Sequence, residues 1–147
     1  MTLIEITDDH GRIVDAQWLA RTEAVHRQLR LKLPTDYAGK MQRVFAGGGR
    51  MLVAAEDNAV VGVAVWRVHE NTFNGVQMYV DDLVTDESKR SAGVGRALME
   101  ALQVKARALG CEGFCLDSGT QRQQAHKFYF REGMFVTSFH FDKKLEA

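Results

Sequence analysis

A strand-like run, Val76 to Thr85, gives way to the loop Asp86-Glu87-Ser88-Lys89-Arg90-Ser91-Ala92-Gly93-Val94-Gly95-Arg96, and a helical pattern begins inside that loop. Val94, Ala97, Leu98, Ala101, Leu102, Ala108 and Leu109 fall on one amphipathic face, which Gly110 ends. A further short apolar strand, Phe114-Cys115-Leu116, comes next. A strand that runs through a loop into a helix of about residues 93–109 and on into another strand is a crossover. It makes the two flanking strands parallel and sets the helix against the sheet.

The remaining segments fit around that unit. Leu3-Ile4-Glu5-Ile6 alternates weakly as a first strand, and Asp8 or Asp9 is placed to cap a first helix. Ile13, Trp18, Val25 and Leu29 form a helical stripe that should stop near Pro34, the only proline. A shorter helix is expected from about Asp36 to Phe45. Met51 to Ala55 and Val60 to Val68 are apolar and β-branched, and Glu56-Asp57-Asn58 between them has the composition of a hairpin turn. In Val76 to Thr85 the alternation puts Val76, Met78, Val80, Asp82 and Val84 on one face. Gln121 to Arg131 reads as a helix ended by Gly133, and Phe135 to Phe141 alternates as a closing strand. The expected order is β-α-α-β-β-β-α-β-α-β, an α/β fold with a mixed central sheet.

Size and charge narrow the function. At 147 residues the chain makes one domain, residues 1–147, that can bury a core without disulfides or metals. It balances 19 Lys+Arg against 19 Asp+Glu, which argues against a broadly basic nucleic-acid or membrane-surface binder. No apolar run approaches the roughly 18 residues of a membrane helix, and MTLIEITDDH lacks the basic and apolar regions of a signal peptide. Two cysteines build no disulfide framework, and the five histidines show no ligand spacing, so a reducing, cytoplasmic setting and no metal are expected. Cys111 and Cys115 read as buried, inert thiols rather than as an acyl carrier.

The glycine loop is the candidate site. Glycines let backbone N–H groups approach a ligand closely, and a new helix offers unpaired donors at its positive end. Such a site suits phosphate, with Lys89, Arg90 and Arg96 beside it; the alternative is an ordinary strand-to-helix turn with solvated cations. The dinucleotide fingerprint is excluded because its third glycine would fall at Leu98, and the P-loop because Gly39-Lys40 is followed by Met41.

The pattern Arg90-Ser91-Ala92-Gly93-Val94-Gly95 resembles the pyrophosphate loop of the GNAT superfamily of acyl-CoA-dependent N-acyltransferases. The likeness extends to Asp82-Leu83-Val84-Thr85 before the loop and to Ala125-His126-Lys127-Phe128-Tyr129-Phe130-Arg131-Glu132-Gly133-Met134 near the end. It covers the whole element order, most specifically residues 76 to 134. It implies a GNAT-like sheet whose strands splay to form an acyl-CoA cleft, and acetyl-CoA as co-substrate. Backbone groups of Leu83, Val84 and Thr85 would pair with the pantetheine arm. Those of Arg90, Ser91, Ala92, Gly93, Val94, Gly95 and Arg96 would hold the pyrophosphate. Tyr129 sits where the family places a tyrosine near the thioester sulfur, and a phenol can protonate a departing thiolate. Its alternative is a core residue beside Phe128 and Phe130.

Asp81 and Asp82 are candidates for base or amine anchor, but adjacent strand residues point to opposite faces, so only one can face the acceptor without a bulge. Arg122 stands where many relatives carry an Asn that reaches the cofactor, and a phosphate or an acceptor anion would each suit it. The segment from Ala125 to Leu145 also resembles aminoalkylphosphonate N-acetyltransferases. In this family the acceptor is chosen by the first two helices and their loop, here about residues 13–49. The resemblance thus implies an enzyme that acetylates a primary amine of a small molecule. The alternatives are a protein lysine or N-terminal acetyltransferase, a non-catalytic acyl-CoA sensor, and a structural subunit that uses the edge near Phe135–Phe141. Family members often form homodimers, to which Phe139 and Phe141 would contribute.

Overall fold

Asp57 and Asn58 both take positive φ, 51° and 63°, as a tight two-residue hairpin turn requires, and so join strand β2 (Arg50–Glu56) to β3 (Ala59–Asn71). In the computed structural model, which describes residues 1–146, these strands form the middle of a five-stranded sheet. Its order is β1 (Thr2–Glu5), β2, β3, β4 (Gly75–Thr85) and β5 (Gly113–Leu116). The first three pairings are antiparallel. Two compact units are distinguished, Met1–Cys115 and the residues from Leu116 onward.

In the first unit, helix α1 (Ala16–Leu29) begins later than Asp8 or Asp9 would have it. Asp15 is the cap, accepting from the Trp18 N–H at 3.0 Å. Asp8 instead accepts from the N–H groups of His10 and Arg12 and closes a turn, which leaves Ile13 bridged to Thr7 outside the helix. Asp36 caps α2 (Tyr37–Ala46) by accepting from the Gly39 N–H at 3.0 Å. One face of the sheet packs Met51, Val53, Val63, Val65 and Val84 with Leu19 and Val25 of α1 and Met41 and Phe45 of α2. Helix α3 (Val94–Ala108) buries Val94, Leu98, Met99, Leu102 and Ala106. Gly62 of β3 makes room for it: a Cβ there would lie 2.5 Å from Val94 Cγ1 and 2.9 Å from Leu98 Cδ1.

The pairing of β3 with β4 corrects one expectation. Val65 faces Asp82 while Trp66 faces Val80, so Asp81 is an extra residue, a β-bulge. Directly paired residues share a face. Met78 and Val80 therefore lie on the Trp66 side, whereas Asp82 and Val84 lie on the Val63–Val65 side. The stripe from Val76 to Val84 is not continuous; it changes face at the bulge.

In the second unit, α4 (Gln123–Arg131) is followed by Gly133 at φ 85°. The expected closing strand does not form: residues 135–146 carry no strand assignment, although His140 reaches Asp117 at 3.0 Å. Alternation is a local signal, whereas a strand also needs a ladder partner. Phe135, Phe139 and Phe141 are 76%, 82% and 93% exposed. Among the described residues no helix is long and apolar enough to cross a membrane.

Candidate active site

The bulge brings both carboxylates to one cleft. Asp81 and Asp82 line an open cavity of about 580 Å³ together with His26 and Arg30, the α1–α2 loop, α2 and Arg67. Only one of the pair could face a single cleft without a bulge; the bulge is present, β4 spending two residues against one of β3, and both line it. Arg67 donates from Nε to Asp81 Oδ2 at 2.8 Å. Arg30 donates from Nε to Asp82 Oδ1 at 2.7 Å and from its terminal nitrogen to the Asp81 carbonyl at 2.8 Å.

Asp82 also meets a residue of the 13–49 region to which the sequence assigned no role of its own. His26, 1% exposed on α1, lies 2.7 Å through Nε2 from Asp82 Oδ2 and 2.8 Å through Nδ1 from the Tyr37 hydroxyl of α2. Burial pushes the Asp82 carboxyl up, but the hydrogen bond and charge of His26 and the charge of Arg30 outweigh it, holding the group below the ordinary carboxylate value. An ionised carboxylate only accepts, so His26 Nε2 carries the donated proton. Burial, with Glu23 and Asp82 nearby, raises the Tyr37 phenol well above its ordinary value. One signal was legible: His26 and Thr22 share a helical face with Leu19 and Val25, so the histidine had to be buried and therefore partnered.

Beyond the carboxylates, β4 runs on through Leu83, Val84 and Thr85, paired to Ala64, Val63 and Gly62. Alternate residues of this stretch turn their backbone groups to the other edge. The bond from the Glu112 N–H to the Val76 carbonyl, 2.7 Å, places β5 near the start of β4. The four residues of β5 span about 13 Å, against about 33 Å for Val76 to Thr85. That edge is therefore not covered by β5.

The loop then turns through a short 3-10 segment, Glu87–Lys89, and Gly93 caps α3 at φ 84° with no side-chain hydrogen bond. Ser91 is also left-handed, at φ 67°. The N–H groups of Val94, Gly95 and Arg96 belong to the first turn and have no intrahelical acceptor. A Cβ at Gly93 would meet nothing within 4 Å. Open space and aligned donors suit a pyrophosphate. Of the neighbouring cations, Lys89 pairs with Glu56 at 3.5 Å and Arg96 with Glu100 at 3.0 Å, while Arg90 has no ion-pair partner among the described residues. Gln28 of α1 holds the loop from below, donating to Asp86 Oδ1 at 3.1 Å and accepting from the Glu87 N–H at 3.0 Å.

Residues 12–134 match the model of the acetyltransferase (GNAT) family. The chain belongs to that family. It is an acetyl-CoA-dependent N-acetyltransferase of the GNAT type. It is 30% identical over 132 residues to the uncharacterized N-acetyltransferase YhdJ of Bacillus subtilis, covering 86% of this chain and 91% of that one. It is also 30% identical over 112 residues to aminoglycoside N(6')-acetyltransferase type 1 of Stenotrophomonas maltophilia, covering 70% and 73%. Its fold is similar to that of AAC(6')-Iy in complex with a bisubstrate analogue, CoA-S-monomethyl-acetylneamine. There the TM-score is 0.82 at 16% identity, over 99% of this chain and 98% of the other.

In the second unit, Tyr129 on α4 stacks edge-on against Phe128 with centroids 5.5 Å apart, and its hydroxyl has no hydrogen-bond partner among the described residues. Burial raises its phenol above the ordinary value, and the charge of Arg122 only partly offsets that. The group stays protonated at neutral pH. Arg122 itself sits at the N-terminus of α4. Cys111 and Cys115 are half-buried and reduced, and burial raises the thiol of Cys111. Among the described residues no His, Cys, Asp and Glu cluster is arranged to hold a metal ion.

Proposed function

We propose that this chain, with residues 1–147 acting as one N-acetyltransferase domain, transfers the acetyl group of acetyl-CoA to a primary amine of a small molecule by direct attack on the thioester. The observation that carries the reading is the bulge at Asp81, which sets two carboxylates on one cleft immediately before the open edge at Leu83–Thr85. A cleft of about 580 Å³ is the size of a small-molecule site. The aminoglycoside acetyltransferase among the relatives supports an acceptor of that kind.

In this reading the backbone of Leu83, Val84 and Thr85 pairs with the pantetheine arm as an added strand would. The N–H groups from Arg90 through Ser91, Ala92, Gly93, Val94 and Gly95 to Arg96 hold the pyrophosphate. Asp82, kept ionised by His26 and Arg30, is a weak base, so its part is electrostatic. Asp81 has one carboxylate oxygen, Oδ1, without a partner among the described residues, and that oxygen anchors the incoming amine. The amine nitrogen attacks the thioester carbonyl and sheds its proton through Asp81 Oδ1 to solvent, the C–S bond breaks as Tyr129 gives its proton to the departing thiolate, and the acyl group never rests on the protein.

The test is thiol release from acetyl-CoA across a panel of aminophosphonates, polyamines, aminoglycosides, amino acids and lysine peptides. Release with at least one small amine, and none without an amine, is expected. Tight acetyl-CoA binding with silence across the panel would instead favour a sensor, and no binding by calorimetry would remove both readings.

A further inference from the structure

The acceptor cleft is not acidic overall. Its two carboxylates face four cations, Arg30, Lys32, Lys40 and Arg67. The arginines are spoken for: Arg67 pairs with Asp81 and Arg30 with Asp82, both at hydrogen-bond distance. What remains is the charge of Lys32 and Lys40, neither of which has an ion-pair partner among the described residues. Lys32 lies on the α1–α2 loop and Lys40 one turn into α2, and both residues line the cleft. Leu29, Leu33, Met41 and Val44 supply an apolar wall.

The α1–α2 loop is also held in shape. Arg27 of α1 donates to the carbonyls of Leu33 and Pro34, both at 2.6 Å, and its Nε is fixed by Glu23 at 2.8 Å. The loop that presents Lys32 is thus tied to α1 through this anchored guanidinium. A charge placed on an anchored backbone loses less freedom when it binds a counter-charge.

Resting on the small-amine reading above, we propose that the acceptor is an amine that also carries an anionic group, a carboxylate, phosphate or phosphonate. The ammonium end lies toward Asp81 Oδ1, and the anion lies between Lys32 and Lys40. A polycationic acceptor would bring its further charges against two unpaired ammonium groups.

The test uses acetyl-CoA and one aminopropyl skeleton: propylamine, 4-aminobutyrate, 3-aminopropylphosphonate, 3-aminopropyl phosphate and 1,3-diaminopropane. At least one anionic member is expected to show kcat/KM about tenfold or more above propylamine, and the three anionic arms rank carboxylate, phosphonate and phosphate. Lys32→Gln and Lys40→Gln should each shrink that preference about fivefold, the scale of one charge-assisted contact at a partly exposed site. A preference for propylamine or the diamine, or lysine variants that lower every arm equally, overturns the proposal. Calorimetry of the same compounds with enzyme and CoA reads the preference as binding. If nothing turns over yet the anionic members bind best, the transfer reading fails and the charge reading stands. If none binds better than propylamine, the charge reading fails.

Discussion

Replacing His26 by leucine removes both hydrogen bonds of the buried imidazole while leaving an apolar side chain in its place. The Tyr37 hydroxyl, on a residue 3% exposed, loses its partner at Nδ1, and an orphaned buried donor costs about 1–3 kcal/mol. Asp82, whose side chain is 13% exposed, keeps Arg30 but loses a charge-assisted bond worth about 1.5–3 kcal/mol. Together these give about 3–5 kcal/mol, since neighbouring losses are not fully additive. At this chain length that is roughly 9–15 °C in Tm, followed by thermal melting with circular dichroism. The decisive comparison is the double variant His26→Leu/Tyr37→Phe. Removing both partners of the Tyr37 bond leaves no orphan, so about 1–3 kcal/mol should return. A double variant no more stable than His26→Leu would refute the reasoning. Acid melting adds an independent check. In the native protein the Asp82 carboxyl is held below 3.8, so its contribution is present above that pH and is lost as pH falls through the lower folded value. In His26→Leu the stability difference between pH 6 and pH 3 should therefore shrink.

Three further outcomes are expected. Gly62→Ala should cost about 1–3 kcal/mol by pushing α3 from the sheet, and should weaken acetyl-CoA binding by calorimetry more than it raises the KM of the amine, because the first turn of α3 moves with Val94. Unchanged acetyl-CoA affinity in a destabilised Gly62→Ala protein would disconnect the helix from cofactor binding. Tyr129→Phe should lower kcat about 10²–10⁴-fold with acetyl-CoA affinity retained, whereas undiminished turnover removes the tyrosine from the chemistry. Light scattering is expected to give twice the 16.5 kDa chain mass, through the exposed Phe139 and Phe141, and Phe139→Ser/Phe141→Ser should return it to the monomer; a monomeric native protein would rule the homodimer out.

Most of the frame was legible in the sequence because it is governed by local rules. The crossover through Gly93 and Gly95, the two-residue turn at Asp57-Asn58 and the apolar faces of α2 and α3 each arise from residue types within a few positions of one another. The loop motif and the Tyr129 segment were read the same way. The closing strand at Phe135–Phe141 was expected on equally local grounds and did not form, because alternation says nothing about whether a ladder partner is present.

The cleft at Asp81 and Asp82 was decided elsewhere. Side-chain direction in a strand is set by parity, and parity holds only while the register does. The sequence of β4 contains Asp81-Asp82 but not the extra residue relative to β3 that turns both to one face; that arises from a pairing across more than a dozen residues. His26 meets Asp82 across 56 positions, and Lys32 and Lys40 share a cleft with them only once α1 and α2 are laid on the sheet. The glycine loop is a property of contiguous chain and could be read from it, whereas the charge of the cleft at Asp81 and Asp82 is a sum over residues that only packing brings together.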